Sequence, residues 1–247
     1  MSTTLTALIQ DNEESLQSLQ ERINYHFTNS HLLVRALVHS SFAFERLIEG
    51  EHNETLEFLG DSVLDLTLGY ILFIRYPELR EGKLTRIRAA LVSENGLATR
   101  AREIKLGNHL ILGKGEEASN GKEKSSILSC AYEALLGAIF LDGGYDKALE
   151  FVRSFFEPYL ETEQEQLLLT DAKSALQELL QESHNEGPTY AIIGEEGPAH
   201  ARLFTTMVSF REQELGRGQA MSKKEAEQLA ARNALVYLER EAQNKNT

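Results

Sequence analysis

His52-Asn-Glu-Thr-Leu-Glu-Phe-Leu-Gly-Asp61 is an apolar segment that three carboxylates, Glu54, Glu57 and Asp61, interrupt at regular intervals. At about 100° per residue, offsets of three and seven place all three on one narrow stripe of a helix. Like charges on one helix face repel one another and lower the stability of the helix. The stripe therefore makes sense if a cation neutralises it, and oxygen ligands suit a hard ion such as magnesium.

An acidic stripe is more often simply the solvated face of an amphipathic helix. Two features of the sequence favour the cation. The helix continues through leucine and valine residues and is too apolar to lie mostly in water. A second apolar segment, 126–142, carries Glu133 as its only charge before its end. Because a lone carboxylate is costly to bury unless it is paired or metal-bound, both helices are expected to line one cleft.

Composition limits the class of protein. The single cysteine, Cys130, excludes an internal disulfide and a cysteine-rich zinc site, and it favours a reducing cytoplasm. No apolar run is expected to span a membrane, and residues 1–12 lack the pattern of a signal sequence. Gly113-Lys-Gly115 lacks the spacing of a nucleotide-binding loop, so no small-molecule organic cofactor is expected. A net charge of −13 argues against a general nucleic-acid binder.

The apolar pattern changes along the chain, from helical spacing in its first part to strand-like alternation in its second. We expect a polar, poorly ordered leader (1–18), an all-α domain (19–158), a polar linker (159–170), an α+β domain (171–240) and a tail (241–247). The linker segment also fits the frayed end of a helix. In the α+β domain the predicted order is helix, three strands, helix, and Ser222 with Glu225 forms a capping box at the start of the last helix.

Several blocks of the sequence together resemble bacterial ribonuclease III, the endonuclease that cuts double-stranded RNA. The matching blocks are 52–63, 82–92, 112–117 and 126–144, and a double-stranded-RNA-binding module follows them. The resemblance runs from about residue 19 to residue 238. It implies a multi-domain protein in which an all-α endonuclease domain precedes an α-β-β-β-α double-stranded-RNA-binding domain.

The implied activity is metal-dependent hydrolysis of double-stranded RNA, leaving 5′-phosphates and short 3′ overhangs. RNA processing is the expected role, with ribosomal RNA precursors and other structured transcripts as substrates. A duplex binder without cleavage is the alternative from another class, and a DNA nuclease is a third. The RNA-binding module favours RNA because its groove contacts select A-form geometry.

The resemblance also assigns roles to individual acids. Glu57, Asp61 and Glu133 match the metal-ligand carboxylates of the family, and Glu54 matches a further acid of the same cleft. Glu81 matches an acid supplied from the loop after the signature helix, although a solvated loop acid fits it nearly as well. Two metal ions about 4 Å apart would activate water and stabilise the leaving oxygen. Magnesium is the expected ion, with manganese as the alternative.

Cys130 departs from the family pattern, which has an aspartate three residues before the glutamate. The same spacing places Cys130 and Glu133 on one helix face. A thiol is a poor magnesium ligand, and neighbouring acids raise its pKa and keep it neutral. Three outcomes follow, in order of preference. Water fills the coordination position; cleavage is weak or prefers a softer metal such as manganese; or cleavage is lost while RNA binding is kept.

The remaining assignments concern partners. Phe58 matches a position that packs into a pocket on the partner subunit, which implies a homodimer that cuts both strands. An ordinary core phenylalanine is the rival interpretation. The residues expected to contact RNA lie on the first helix, the loop between the first two strands and the start of the last helix of the second domain: Ser174, Gln177, His200, Lys223 and Lys224. Arg217 is a weaker candidate.

Overall fold

The computed structural model describes residues 4–46, 50–170, 172–198 and 202–245. The chain divides into two compact units, Met1–Leu160 and Glu161–Thr247. The first unit is helical, and the second combines helices with a sheet. The predicted order, an all-α domain followed by an α+β domain, is confirmed.

The described part of the first unit is built from helices of very different lengths. They are α1 (Leu5–Asp11), α2 (Glu13–Ile23), α3 (Ser30–Leu37), α4 (Ser40–Arg46), α5 (Glu54–Arg75), α6 (Glu81–Leu91), α7 (Glu94–Glu103), α8 (Lys114–Ala118) and α9 (Ser125–Thr170). Short 3-10 turns lie at Leu106–His109 and Gly121–Glu123. Helix α9 is broken at Gly144, whose φ of 77° is non-helical and suits a glycine.

The first two helices correct the expectation of a poorly ordered leader at 1–18. Thr4 is the N-cap of α1, because its side chain accepts a hydrogen bond from the Ala7 N–H at 3.2 Å. Leu8 and Leu16 are buried. Ser15 also hydrogen-bonds His109 across 2.8 Å. A few apolar positions in a mostly polar segment are therefore enough to dock it on the domain.

The segment predicted as a linker, 159–170, is helical, because α9 continues to Thr170. Its glutamates, glutamines and leucines are good helix formers. The segment was predicted as a linker because residues 161–166 are all polar. Near the start of the segment, Tyr159 lies under the Arg100 guanidinium, 3.2 Å from the ring centroid. The Tyr159 hydroxyl also donates to Glu103 at 2.7 Å. These contacts fix the beginning of the segment to α7.

Helices α5 and α9 cross at two glycines. A Cβ atom on Gly60 would overlap the carbonyl oxygen of Glu133, and a Cβ atom on Gly137 would overlap the carbonyl oxygen of Leu56. Only glycine therefore allows the two backbones to approach this closely. The crossing makes α5 and the first part of α9 the centre of the helical core.

The apolar length of α9 bears on the expectation that no apolar run spans a membrane. Within the described residues, Ser125–Glu161 is long and apolar enough to do so by length and composition. Most of its apolar window is buried inside the protein, and the core helix of a soluble protein passes the same test. The helix is thus weak evidence for a membrane segment.

The second unit contains α10 (Ala172–His184), β1 (Thr189–Glu196), β2 (Leu203–Phe210), β3 (Gln213–Ala220) and α11 (Lys223–Lys245). The strands form an antiparallel sheet in the order β1-β2-β3. Leu176 and Leu180 of α10, Val208 of β2 and Ala230 of α11 belong to its core. The predicted α-β-β-β-α order is therefore confirmed.

Candidate active site

The crossing of α5 and α9 brings three of the predicted acids together. Glu57 and Asp61 flank Gly60 on α5, and Gly60 lies against the backbone of Glu133 on α9. Glu57 and Glu133 are half-buried, whereas Asp61 is exposed. The close approach of the two backbones thus gathers acids from two helices along one seam.

The pKa of Glu133 is shifted by the acids that lie near it. Burial, and then the charges of Asp61, Glu57 and Asp65, raise the pKa of Glu133 to about 7. The charged neighbours that raise this pKa are all acids, so repulsion between like charges adds to the effect of burial. A set of carboxylate oxygens with this excess of negative charge suits a divalent metal ion.

The side chains are not closed around an ion. Among residues that the structure describes, no three His, Cys, Asp or Glu side chains form a group that could hold a metal as they stand. Mutual repulsion opposes a closer approach of three like charges, and a bound cation would relieve it. The identity and location of the carboxylates fit a divalent metal, and side-chain movement would complete the coordination.

Cys130 lies on the same seam, one turn before Glu133 and half-buried. Burial first, and then a hydrogen bond to Glu57 and the charges of Glu57 and Glu133, raise the pKa of Cys130 to about 12. The thiol therefore stays protonated at neutral pH and can donate to the Glu57 carboxylate. Its position matches the helical spacing that predicted it.

Glu54 and Glu81 lie further from the crossing. Glu54 is the exposed first residue of α5, and one of its carboxylate oxygens lies 3.8 Å from His52 Nδ1. Glu81 begins α6 rather than lying in a loop, and its Oε1 accepts a hydrogen bond from Thr85 at 3.0 Å. With a helical rise of 1.5 Å per residue, Asp61 is roughly 20 Å from the end of α5. Within one copy of the chain, Glu81 is thus remote from the predicted cleft.

Asp65 is an acid of the site that the sequence interpretation missed. It follows Asp61 by one helical turn, and its charge contributes to the raised pKa of Glu133. Arg88 Nε of α6 lies 3.6 Å from its Oδ1. The spacing of four residues after Asp61 would have revealed it, because that spacing extends the same stripe.

Comparison with known proteins identifies the family. Residues 29–160 match the ribonuclease-III-like family, and residues 172–238 match the double-stranded RNA binding motif. Ribonuclease 3 of Desulfotalea psychrophila is 55% identical over 97% of this chain and 99% of that protein. The chain belongs to the ribonuclease III family. It is therefore an endoribonuclease with a double-stranded-RNA-binding domain.

Other ribonuclease III proteins give the same result. Ribonuclease 3 of Oleidesulfovibrio alaskensis is 48% identical over 92% of this chain and 99% of that protein. Among solved structures, a nuclease domain of ribonuclease III from Campylobacter jejuni is 40% identical, with a TM-score of 0.53. It covers 57% of this chain and 99% of its own, and the match therefore concerns the helical unit.

The predicted RNA face of this ribonuclease III family member is only partly free of intramolecular partners. Ser174 is half-buried and Gln177 exposed on α10. Lys223 and Lys224 are exposed at the start of α11, where Ser222 Oγ accepts from the Glu225 N–H at 3.2 Å. His200 lies outside the described residues.

Acids accompany several basic side chains of the double-stranded-RNA-binding domain. Lys223 Nζ lies 3.5 Å from Glu195 Oε1, and Arg202 Nη1 lies 3.4 Å from Glu195 Oε2. Arg217, the weaker RNA candidate, makes two hydrogen bonds to Glu214, at 2.6 and 2.7 Å. RNA phosphates must compete with these carboxylates, which agrees with the acidic balance of the sequence.

Proposed function

We propose that this ribonuclease III family member hydrolyses double-stranded RNA with divalent metal held at the crossing of α5 and α9. The observation that carries the proposal is the half-buried Glu133, whose pKa is raised in part by the charges of Asp61 and Glu57. These acids meet where Gly60 of α5 lies against the α9 backbone. Products with 5′-phosphates and short 3′ overhangs are expected. Magnesium is the proposed ion, and manganese is the alternative because Cys130 brings a sulfur atom to the seam.

Glu57, Asp61 and Glu133 would hold the metal. When bound, the metal would supply activation of a water molecule and neutralisation of the charge that develops on the phosphate. The chain provides the carboxylates, and the close crossing of α5 and α9 holds the backbones that carry them. Cys130 is unsuited as a nucleophile because a pKa of about 12 leaves it protonated.

The second unit supplies the proposed grip on the duplex. Modules of this kind span roughly 16 base pairs and recognise the shape of A-form RNA more than its sequence. Gln177 on α10 and Lys223 and Lys224 at the α11 N-terminus are the described residues best exposed for this contact. Structured transcripts in the cytoplasm, ribosomal RNA precursors among them, are the proposed substrates.

A homodimer is proposed through the exposed apolar stripe of α5. The stripe comprises Phe58, Leu66, Tyr70, Phe73 and Ile74. Phe58 is 78% exposed and is therefore no core residue of the single chain. Several large apolar side chains exposed on one helix are typical of an interface. The Campylobacter jejuni nuclease domain is described as having structural flexibility in a region involved in dimer formation.

A pocket gives the stripe a complementary surface. It has a volume of about 380 Å³ and lies between the end of α5 and α6, where Leu72, Tyr76 and Leu84 contribute to its lining. If two α5 helices pack antiparallel about a twofold axis, Phe58 of one copy approaches this pocket of the other. The same arrangement brings Glu81 toward the acids of the second copy.

The decisive experiment is cleavage of labelled duplex RNA by the purified protein in magnesium and in manganese. Glu133→Gln should abolish cleavage and leave RNA binding intact, because the second unit is unchanged. Glu150→Gln is the control, since Glu150 is exposed on the same helix and pairs with Lys147. Absence of cleavage by the wild type in both metals would refute the proposal. Tight duplex binding without cleavage would instead support a non-catalytic binder, the least preferred of the three outcomes for Cys130.

A further inference from the structure

Three segments of the first unit converge beside the N-terminus of α5. The Ile111 N–H donates to the Leu37 carbonyl at 2.9 Å, and the His39 N–H donates to the Ile111 carbonyl at 3.0 Å. From the other side, the Asn53 N–H donates to the Val38 carbonyl at 3.0 Å. Segment 37–39 is thus held between residue 111 and the residue that precedes α5. His39 lies at the end of this short ladder.

A hydrogen-bond relay fixes the ring of His39. The Gly113 N–H donates to Ser41 Oγ at 2.9 Å, and Ser41 Oγ lies 2.8 Å from His39 Nδ1. The Ser41 N–H also donates to Nδ1, at 3.3 Å. Because a backbone N–H can only donate, Nδ1 must accept, and the neutral ring carries its proton on Nε2. The half-buried imidazole therefore offers one N–H donor to its surroundings.

The charges of three acids act on this imidazole. Burial lowers the pKa of His39, and the charges of Glu116, Glu54 and Glu57 only partly offset the effect. His52 lowers it further. The ring is therefore neutral at pH 7 and acts as a donor rather than as a cation. Its electrostatic neighbours connect it to the acidic stripe at the start of α5.

Glu116 already has other partners. Its Oε2 accepts from Lys124 Nζ at 2.7 Å and lies 3.4 Å from Ser119 Oγ. Glu54 and Glu57, whose charges also act on the ring, lie at the start of α5, next to the hydrogen bond between Asn53 and Val38. An RNA phosphate is disfavoured at this point, because Glu54, Glu57 and Glu116 all repel an anion near the ring.

We propose that His39 is a positioning residue of the nuclease centre, held by the Gly113–Ser41 relay so that Nε2–H is presented to the carboxylates of Glu54 and Glu57. The inference rests on the proposed function, since His39 acts through acids that would hold or flank the metal. Donors in this position orient carboxylate ligands, and their loss typically lowers metal affinity or activity by about 10–100-fold.

The test uses the full chain and three substitutions near the relay. His39→Leu removes the donor, His39→Gln places an amide N–H near the position of Nε2–H, and Ser41→Ala breaks the relay. His31→Leu is the matched control, because His31 is exposed on α3. Binding of manganese alone is measured by electron paramagnetic resonance without RNA. Values of kcat and KM are measured with duplex RNA, and thermal unfolding checks each variant.

His39→Leu is expected to weaken manganese binding about 10–100-fold and to lower kcat, with little change in KM for RNA. His39→Gln should recover part of both losses, and Ser41→Ala should fall between His39→Leu and the wild type. Wild-type manganese affinity in folded His39→Leu would overturn the inference. Equal losses in His39→Leu and His39→Gln would also overturn it, because they would indicate a packing role.

The failure of this inference is separable from that of the proposed function. A wild type that binds manganese and cuts RNA, beside an equally competent His39→Leu, contradicts only the role of His39. A wild type that does neither refutes both proposals. If His39→Leu does not fold, Ser41→Ala decides, and wild-type manganese affinity in that variant contradicts the relay.

Discussion

Gly60 of α5 lies against the carbonyl oxygen of Glu133 of α9, with no room for a side chain between the two helices. The contact joins the backbone that carries Glu57 and Asp61 to the backbone that carries Glu133. Packing and chemistry therefore meet at the same point of the fold, and substitutions there test both.

Gly60→Ala should destabilise the helical unit, because its methyl group would overlap the α9 backbone. Overpacking of this kind typically lowers the free energy of unfolding by about 1–3 kcal/mol. Gly69→Ala is the matched control in the same helix, since the nearest atom to its new Cβ would be Arg88 Nη1 at 3.8 Å. Urea unfolding should separate the two variants. Equal stability of both would contradict the close crossing.

The raised pKa of Glu133 predicts a pH dependence of stability without metal. Its folded pKa of about 7 exceeds the ordinary value of 4.5, so between these pH values the native state binds more protons than the unfolded state. Stability should therefore fall as pH rises from about 4.5 to 7, by on the order of 1–2 kcal/mol after solvent screening. Glu133→Gln should remove much of this slope in urea unfolding with a chelator present. An unchanged slope would show that Glu133 is not the group responsible.

Cys130→Asp should bind magnesium more tightly and cleave RNA at lower magnesium than the wild type. The change replaces a protonated thiol beside Glu57 with a carboxylate that can bind metal. Its negative charge should stabilise the site when metal is bound and destabilise it when metal is absent. Cys130→Ser, which adds no charge, is the control. Rates against magnesium concentration provide the measurement. An inactive wild type with an active aspartate variant would identify a nuclease disabled at one position, and an unchanged magnesium dependence would place Cys130 outside the metal site.

Phe58→Ala should weaken dimerisation while leaving the fold of each copy intact. Loss of an aromatic anchor at the centre of an interface typically weakens binding by about 2 kcal/mol or more. Phe44→Ala is the control, because Phe44 is 95% exposed and lies on α4. Sedimentation equilibrium at micromolar concentrations measures the association. A monomeric wild type would contradict the proposed assembly.

Glu195→Gln should raise the affinity for duplex RNA, because it releases Lys223 and Arg202 from a shared carboxylate. Exposed pairs contribute about 0.2–1 kcal/mol, so the gain should be no more than severalfold. Each additional phosphate contact should steepen the salt dependence of binding by about 0.9. Glu196→Gln, at the neighbouring exposed position, is the control for loss of one negative charge. Identical affinities of the two variants would indicate a general charge effect.

The residues of the site that could be predicted were those whose spacing in the sequence follows the period of a helix. Offsets of three and seven residues placed Glu57 and Asp61 on one face of α5, and an isolated charge singled out Glu133. The crossing itself was not foreseen, because which glycines meet depends on how distant segments pack. Nothing in the sequence singles out His39, because the segments that surround it are far apart along the chain.

Polarity misled the interpretation at both ends of the helical domain. The leader is largely polar and residues 161–166 of the linker are all polar, yet Leu8 and Leu16 are buried and the segment through Thr170 is helical. Glu81 was assigned to the same cleft by resemblance. The length of α5 separates Glu81 from that cleft within one copy of the chain, and a sequence motif gives no such distance.

The glycine pair at the crossing also limits how this enzyme can change. Larger side chains at Gly60 or Gly137 would separate the two helices and therefore also the acids that they carry. Substitutions that fill the core, which stabilise many proteins, are therefore not tolerated at these two positions. At the proposed metal site, a change of ligand would therefore be confined to side-chain exchanges on a fixed backbone. The cysteine at position 130 is one such exchange.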